Sequence, residues 1–210
     1  MNDVTLFGLP PSTYVRTAAM VLDAKGVRHS VEFPDFRTGG YREIHPFGRI
    51  PALRHGDLVL YETLAIATYV DEAFEGPALQ PGDAAGRARM MQWISAINDY
   101  VYASFVGGCI AERFVKPMRG MQTDEAVIKA ATPTIAAHLG ILDAALADTP
   151  FLAGDGLSLA DFFLAPIMAY LENTPEGEAL LPERGNLVAW SRQMASLPGY
   201  DRVNTMPVEA

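Results

Sequence analysis

Ser12 follows Pro10-Pro11 and opens a helical pattern in which Val15, Ala18, Ala19 and Leu22 fall at i, i+3, i+4 and i+7, with Gly26 as the stop. A serine in that place is either a plain helix cap or a hydroxyl that donates to an anion brought to the helix end. Spacing alone leaves both open. Glu62-Thr63 opens another helix, with Ile66, Tyr69, Val70 and Ala73 along one side. The plain reading is a threonine cap with an acid beside it. In the chemical reading, the free N–H groups of the helix start hold a carboxylate, Thr63 adds its hydroxyl and Glu62 pairs with an ammonium. Such a set would recognise the zwitterionic end of an amino acid. Ser158-x-x-Asp161 fits a capping box, with the serine capping and the acid reaching back; it is architecture.

The chain around these residues has 210 residues, half of them hydrophobic and 20% charged, enough apolar material for a sizeable core. Asp and Glu number 25 against 16 Lys and Arg, a formal charge of −9. A duplex-binding protein needs a concentrated basic face, and no Lys/Arg-rich run is present. Nucleic acid and anionic membrane are therefore not expected as partners. One cysteine, Cys109, excludes an internal disulfide framework and a Cys-rich zinc site, and no metal is expected. The start Met1-Asn2-Asp3 carries an acid where a secretory signal would be positive, and the longest apolar segment, 157–171, is interrupted by Ser158 and Asp161. The expected location is the cytoplasm.

The first eighty residues alternate strand and helix patterns. Val4-Thr5-Leu6-Phe7 reads as a strand ended by Gly8, and His29 to Phe33 as a second one ended by Pro34. Residues 36–48 are loop plus a short helix. Pro51 to Arg54, the turn His55-Gly56-Asp57 and Leu58 to Tyr61 form a hairpin, and the helix at Thr63 follows. After Gly76-Pro77 and Pro81-Gly82 only helical periods remain: Met90, Trp93, Ile94, Ile97 and Val101 on one face; Ile128, Ala131, Ile135, Leu139 and Leu142 on another; Leu159, Phe162, Phe163, Ile167 and Tyr170 on a third. Gly107-Gly108 and Pro133 fall inside two of these helices, and Pro133 is expected to kink its own. The expected order is an α/β domain over 1–76, a linker over 77–82 and an all-α domain over 83–210.

That order resembles the cytosolic glutathione S-transferases, over about residues 4–200. Four motifs carry the resemblance: Pro11 to Arg16 after the first strand, Pro46 to Leu53 before the hairpin, Tyr61-Glu62-Thr63, and Leu157 to Asp161. It implies a thioredoxin-like βαβαββα domain followed by an all-helical one, glutathione as co-substrate and a homodimer. Family members stabilise the glutathione thiolate with a first-strand Tyr, or with a Ser or Cys at the first helix. Phe7 and the absence of a Cys near residue 12 leave the serine types, theta- and phi-like, with Ser12 catalytic, Thr13 as the backup hydroxyl and Tyr14 as a more distant one.

The resemblance also implies that the Ile50-Pro51 bond is cis, turning the Ile50 N–H and C=O outward to pair with an extended peptide. Glu62 and Thr63 would take the γ-glutamyl group. The glycine carboxylate needs a cation, for which Arg49, Arg42 and His45 are candidates, with Arg37 read as a solvated surface charge. Trp93, Tyr100, Tyr102 and Phe105 are candidates for the second substrate, one or two lining its pocket and the rest core. The implied reaction is attack of sulfur on an electrophilic carbon. A non-catalytic protein-binding module, or a glutathione-dependent isomerase, dehalogenase or peroxidase, would share the fold.

Overall fold

The computed structural model describes residues 3–37 and 39–205, which form two compact units. The first runs to Gln80 and takes back the chain from Leu197; the second begins at Pro81 and ends at Ser196.

In the first unit, strands β1 (Val4–Phe7), β2 (His29–Glu32), β3 (Ala52–His55) and β4 (Leu58–Tyr61) form one sheet in the order β2-β1-β3-β4. Strand β2 lies parallel to β1, while β3 is antiparallel to both β1 and β4. The helices α1 (Thr13–Ala24) and α2 (Thr63–Ala73) and a 3-10 turn (Gly40–Glu43) complete it, as the alternation of patterns expects. Consecutive strand residues point to opposite faces. Phe7 and Ala52 share one face with buried Tyr41, flanked by Ile44 and Ile50. Leu6 and Leu53, fully buried, lie on the other face, where α1 and α2 pack on each other with Leu22, Ile66 and Val70.

Two ties hold the ends of this unit. Lys25, just past α1, is buried and donates to Asp71 Oδ1 at 3.1 Å and to the Pro77 carbonyl at 2.9 Å. Asp71 also accepts from the Leu79 N–H at 2.9 Å and from Gln80 at 3.1 Å, so its charge is fully bonded. The short helix α9 (Tyr200–Asn204) returns to α1: Arg202 pairs with Asp23, and Asn204 reaches Met20 Sδ at 3.2 Å. The composition of 197–205 gives no sign of this return, and the sequence pattern groups those residues with the helical half.

The second unit is helical throughout apart from loops and an isolated bridge, with α3 (Ala84–Ala96), a π-helical segment (Ile97–Val115), α4 (Lys116–Met118), α5 (Glu125–Ala145), α6 (Leu159–Leu171), α7 (Pro175–Leu180) and α8 (Gly185–Ala195). Every residue of α6 is buried. Asp161 starts it by accepting from the Ser158 N–H and hydroxyl, each at 2.9 Å, from Leu152 N at 3.0 Å and from Trp190 Nε1 at 2.9 Å. Burial pushes its carboxyl upward and these four donors oppose the shift. The pair Gly107-Gly108 does not end its helix; the chain widens there, the Lys116 N–H donating to Ala111 five residues back. Helix α5 continues through Pro133. No helix among the described residues is long and apolar enough to cross a membrane.

Gly108 marks a close approach, because a Cβ there would stand 2.4 Å from the Ala131 Cβ on α5. Overpacking costs about 1–3 kcal/mol, against about 1 kcal/mol that alanine gains over glycine in a helix. Gly108→Ala is therefore expected to lose roughly 1 kcal/mol of stability in urea denaturation. A more stable variant would contradict the close approach.

Candidate functional site

The sheet register places Glu32, Phe7, Ala52 and Tyr61 in one row across all four strands. Strands β1 and β4 end at that row and β3 begins there. Residues 8–12, 50–51 and 62–63 therefore leave the sheet at the same end, and both α1 and α2 start from it. Ser12, Ile50-Pro51 and Glu62-Thr63, spread over about fifty residues of sequence, are brought to one end of the sheet by topology.

Ser12 caps α1, its Oγ accepting from the Val15 N–H at 3.4 Å. That bond uses an oxygen lone pair and leaves the hydroxyl hydrogen for an outside acceptor. Ser12 is half-buried, whereas Thr13 beside it is only 6% exposed. No acidic residue occupies the first turn of α1. Its positive end is thus uncompensated and faces whatever Ser12 donates to.

Glu62, not Thr63, occupies the cap position of α2, and its side chain makes no capping bond. Glu62 is exposed and makes no ion pair with another described residue. Its backbone has φ 72°, left-handed for a residue with a Cβ. Such a conformation costs about 1–3 kcal/mol and persists where the surroundings impose it, often at ligand sites. Thr63 is buried at the first helical position, beneath N–H groups that no side chain caps.

The Ile50-Pro51 bond is cis, in accord with the motif. Arg49, just ahead of it, is held by its carbonyl, which accepts from the buried Tyr41 hydroxyl at 2.8 Å. Burial pushes Tyr41 up to about 12, so it stays a neutral donor. Sequence reasoning passed over Tyr41; an aromatic inside a loop predicted to carry a short helix was the available signal. The side chains of Arg49 and Arg42 are exposed, Arg42 donating to the Pro46 carbonyl at 3.2 Å. Arg37 pairs with Asp35 at the surface. His45 differs from the other cation candidates. It is 1% exposed, and burial holds it below the ordinary imidazole range, so it is a neutral ring and not a surface cation. Among the described residues no cluster of three His, Cys, Asp or Glu could hold a metal ion.

Two family models cover this arrangement: the glutathione S-transferase N-terminal domain over residues 6–78 and the C-terminal domain over 125–193. Glutathione S-transferase F14 of Arabidopsis thaliana is 32% identical, the match covering 87% of this chain and 76% of that protein. The chain belongs to the glutathione S-transferase family. Glutathione S-transferase 3 of Zea mays is 30% identical, over 96% of this chain and 93% of its own. A theta-class glutathione S-transferase from Xanthomonas axonopodis pv. citri, solved with glutathione bound, superimposes with a TM-score of 0.87 at 28% identity, covering 100% of both chains.

In this transferase the second-substrate candidates separate by burial. Phe105 is completely buried and belongs to the core of the helical unit; Trp93 and Tyr102 are half-buried, and Tyr100 is 63% exposed. Of the four, Tyr100 alone is mostly exposed. The remaining histidines are bonded structural residues: His29 Nδ1 lies 3.0 Å from the Val27 carbonyl, His55 Nδ1 2.7 Å from the Tyr69 hydroxyl and His138 Nδ1 2.9 Å from Ser104 Oγ.

Proposed function

We propose that this transferase conjugates glutathione to small electrophiles, with Ser12 stabilising the thiolate. The register that delivers Ser12, Ile50 and Glu62-Thr63 to one end of the sheet supports this most directly. Glutathione lies across that end as an extended peptide. Its γ-glutamyl carboxylate takes the first-turn N–H groups of α2 and the Thr63 hydroxyl, and its ammonium takes Glu62. Its cysteinyl amide pairs with the Ile50 backbone in the manner of an added strand. Arg49 and Arg42 supply positive charge for the glycine carboxylate.

The thiol gives its proton to solvent, and the thiolate accepts the Ser12 O–H bond at the positive end of α1. Sulfur then forms a bond to carbon while the leaving group departs with its electron pair, or adds to an activated double bond whose other carbon takes a proton. Tyr100 and Tyr102 offer aromatic surface to the second substrate.

The reading is tested by incubating the protein with glutathione and a panel of electrophiles such as aryl halides and activated alkenes. Saturable conjugation above the uncatalysed rate supports it. Tight glutathione binding with no conjugation of any member would instead indicate a binding module.

The transferase is proposed to work as a cytoplasmic homodimer, a two-fold being the commonest cytosolic assembly. Sedimentation is expected to return about 46 kDa, twice the 22.8 kDa chain. A monomer at micromolar concentration would contradict the dimer.

A further inference from the structure

His45 is a buried polar group at the site end of the sheet to which the transferase reading gives no task. His45 is 1% exposed, and its Nδ1 has no hydrogen-bond partner. Buried nitrogens are nearly always bonded, so an orphan calls for a reason. The ring sits in an aromatic cage. Tyr61 lies on it with centroids 4.8 Å apart at 35°, Phe47 stands edge-on at 6.3 Å, and Tyr41 tilts at 6.3 Å. Tyr61 is the last residue of β4 and directly precedes Glu62, whose backbone is left-handed. The stack therefore ties His45 to the residue next to Glu62 in the chain.

The charged groups acting on the ring come from two elements. Burial disfavours the imidazolium and keeps the ring neutral; Glu62, at the start of α2, favours the imidazolium but is outweighed, and Arg49, before β3, acts in the same direction as burial. Tyr41, pushed to about 12, contributes no charge.

We propose that His45 is a positioning residue for Glu62: the neutral ring backs Tyr61 and leaves the Glu62 carboxylate to the ammonium of glutathione, and the protonated ring draws that carboxylate to itself. This rests on the reading of Glu62 as the ammonium's partner. The linkage has a definite sign. A bound ammonium neutralises the charge that favours imidazolium and adds a cation near it, so binding lowers the His45 pKa further. Protonation and binding then oppose each other. Affinity is full while His45 is neutral and falls as pH drops through its pKa in the free protein, with a proton released on binding there.

Calorimetry with S-methylglutathione, whose sulfur has no proton to lose, tests this between about pH 5 and about pH 7, where the ligand's carboxylates and ammonium keep their charges. Wild-type affinity is expected to fall roughly fivefold across that range, the heat varying with buffer as a proton is released. In His45→Asn and His45→Gln the fall should shrink to less than about twofold and the buffer dependence should vanish. The imidazole resonance of His45, followed by NMR with and without ligand, reads the same linkage in the unmodified protein. Parallel pH profiles in wild type and both variants, or an imidazole titration that the ligand does not move, would overturn the proposal. Glu62→Gln separates the two readings. If it leaves affinity unchanged at neutral pH, the assignment of the ammonium has failed; if it weakens binding while the His45 profiles coincide, only the role of His45 has.

Discussion

Glu62→Gln is expected to raise the dissociation constant of glutathione about tenfold to a hundredfold, from a charge-assisted bond worth roughly 1.5–3 kcal/mol. The substitution isolates the charge. Glutamine has the same length and a Cβ, so the cost of φ 72° at this position is common to both side chains. The carboxylate also makes no capping bond to α2, so the helix loses no cap with it. Calorimetry of the variant should therefore show weaker binding with thermal stability unchanged. Equal affinity would place the ammonium elsewhere.

Ser12→Ala is expected to slow conjugation near neutral pH roughly 10- to 100-fold while leaving glutathione bound, because the thiolate and not the peptide loses its partner. A cysteine thiol has a reference pKa of about 8.5, so only a few per cent is thiolate at neutral pH. Lowering it to ~6.5 requires about 2.7 kcal/mol of preference for the anion. A hydrogen bond to a charged acceptor supplies roughly 1.5–3 kcal/mol, and the start of α1 adds about 0.3–1 kcal/mol. Together they meet the requirement without a cationic side chain. The variant should regain most of its rate in alkali, where the thiol ionises unaided. The hydroxyl also caps α1, and its loss costs about 0.5–2 kcal/mol of stability. Ser12→Thr, which keeps cap and donor, controls for that and should retain most of the activity.

Much of this was legible in the residues because local chemistry and global fold agree. The strands of the first unit are bounded by Gly8, Pro34 and the turn His55-Gly56-Asp57, and their register then brings the segments that carry Ser12, Ile50 and Glu62 off the same end of the sheet. What escaped depends on tertiary packing. The return of α9 to α1 is written in no local pattern, since Arg202 and Asn204 read as ordinary polar residues until Asp23 and Met20 are beside them. Gly107-Gly108 are helix breakers by propensity, yet the helix runs through both, and at Gly108 the approach of Ala131 leaves no room for a Cβ. The plain reading of Thr63 as a cap placed the helix start one residue late, because a left-handed Glu62 is not readable from residue type. His45 was legible as a loop histidine but not as a buried one, because its cage is assembled by Tyr41 and Tyr61 from separate elements.

The role of Ser12 is tested most directly by the ultraviolet thiolate absorbance of the glutathione complex against pH, in wild type and in Ser12→Ala. The account predicts a wild-type midpoint near 6.5, about two units below the free thiol, and a midpoint about one to two units higher in the variant. Superimposable curves would contradict it and move the search to Thr13 or Tyr14.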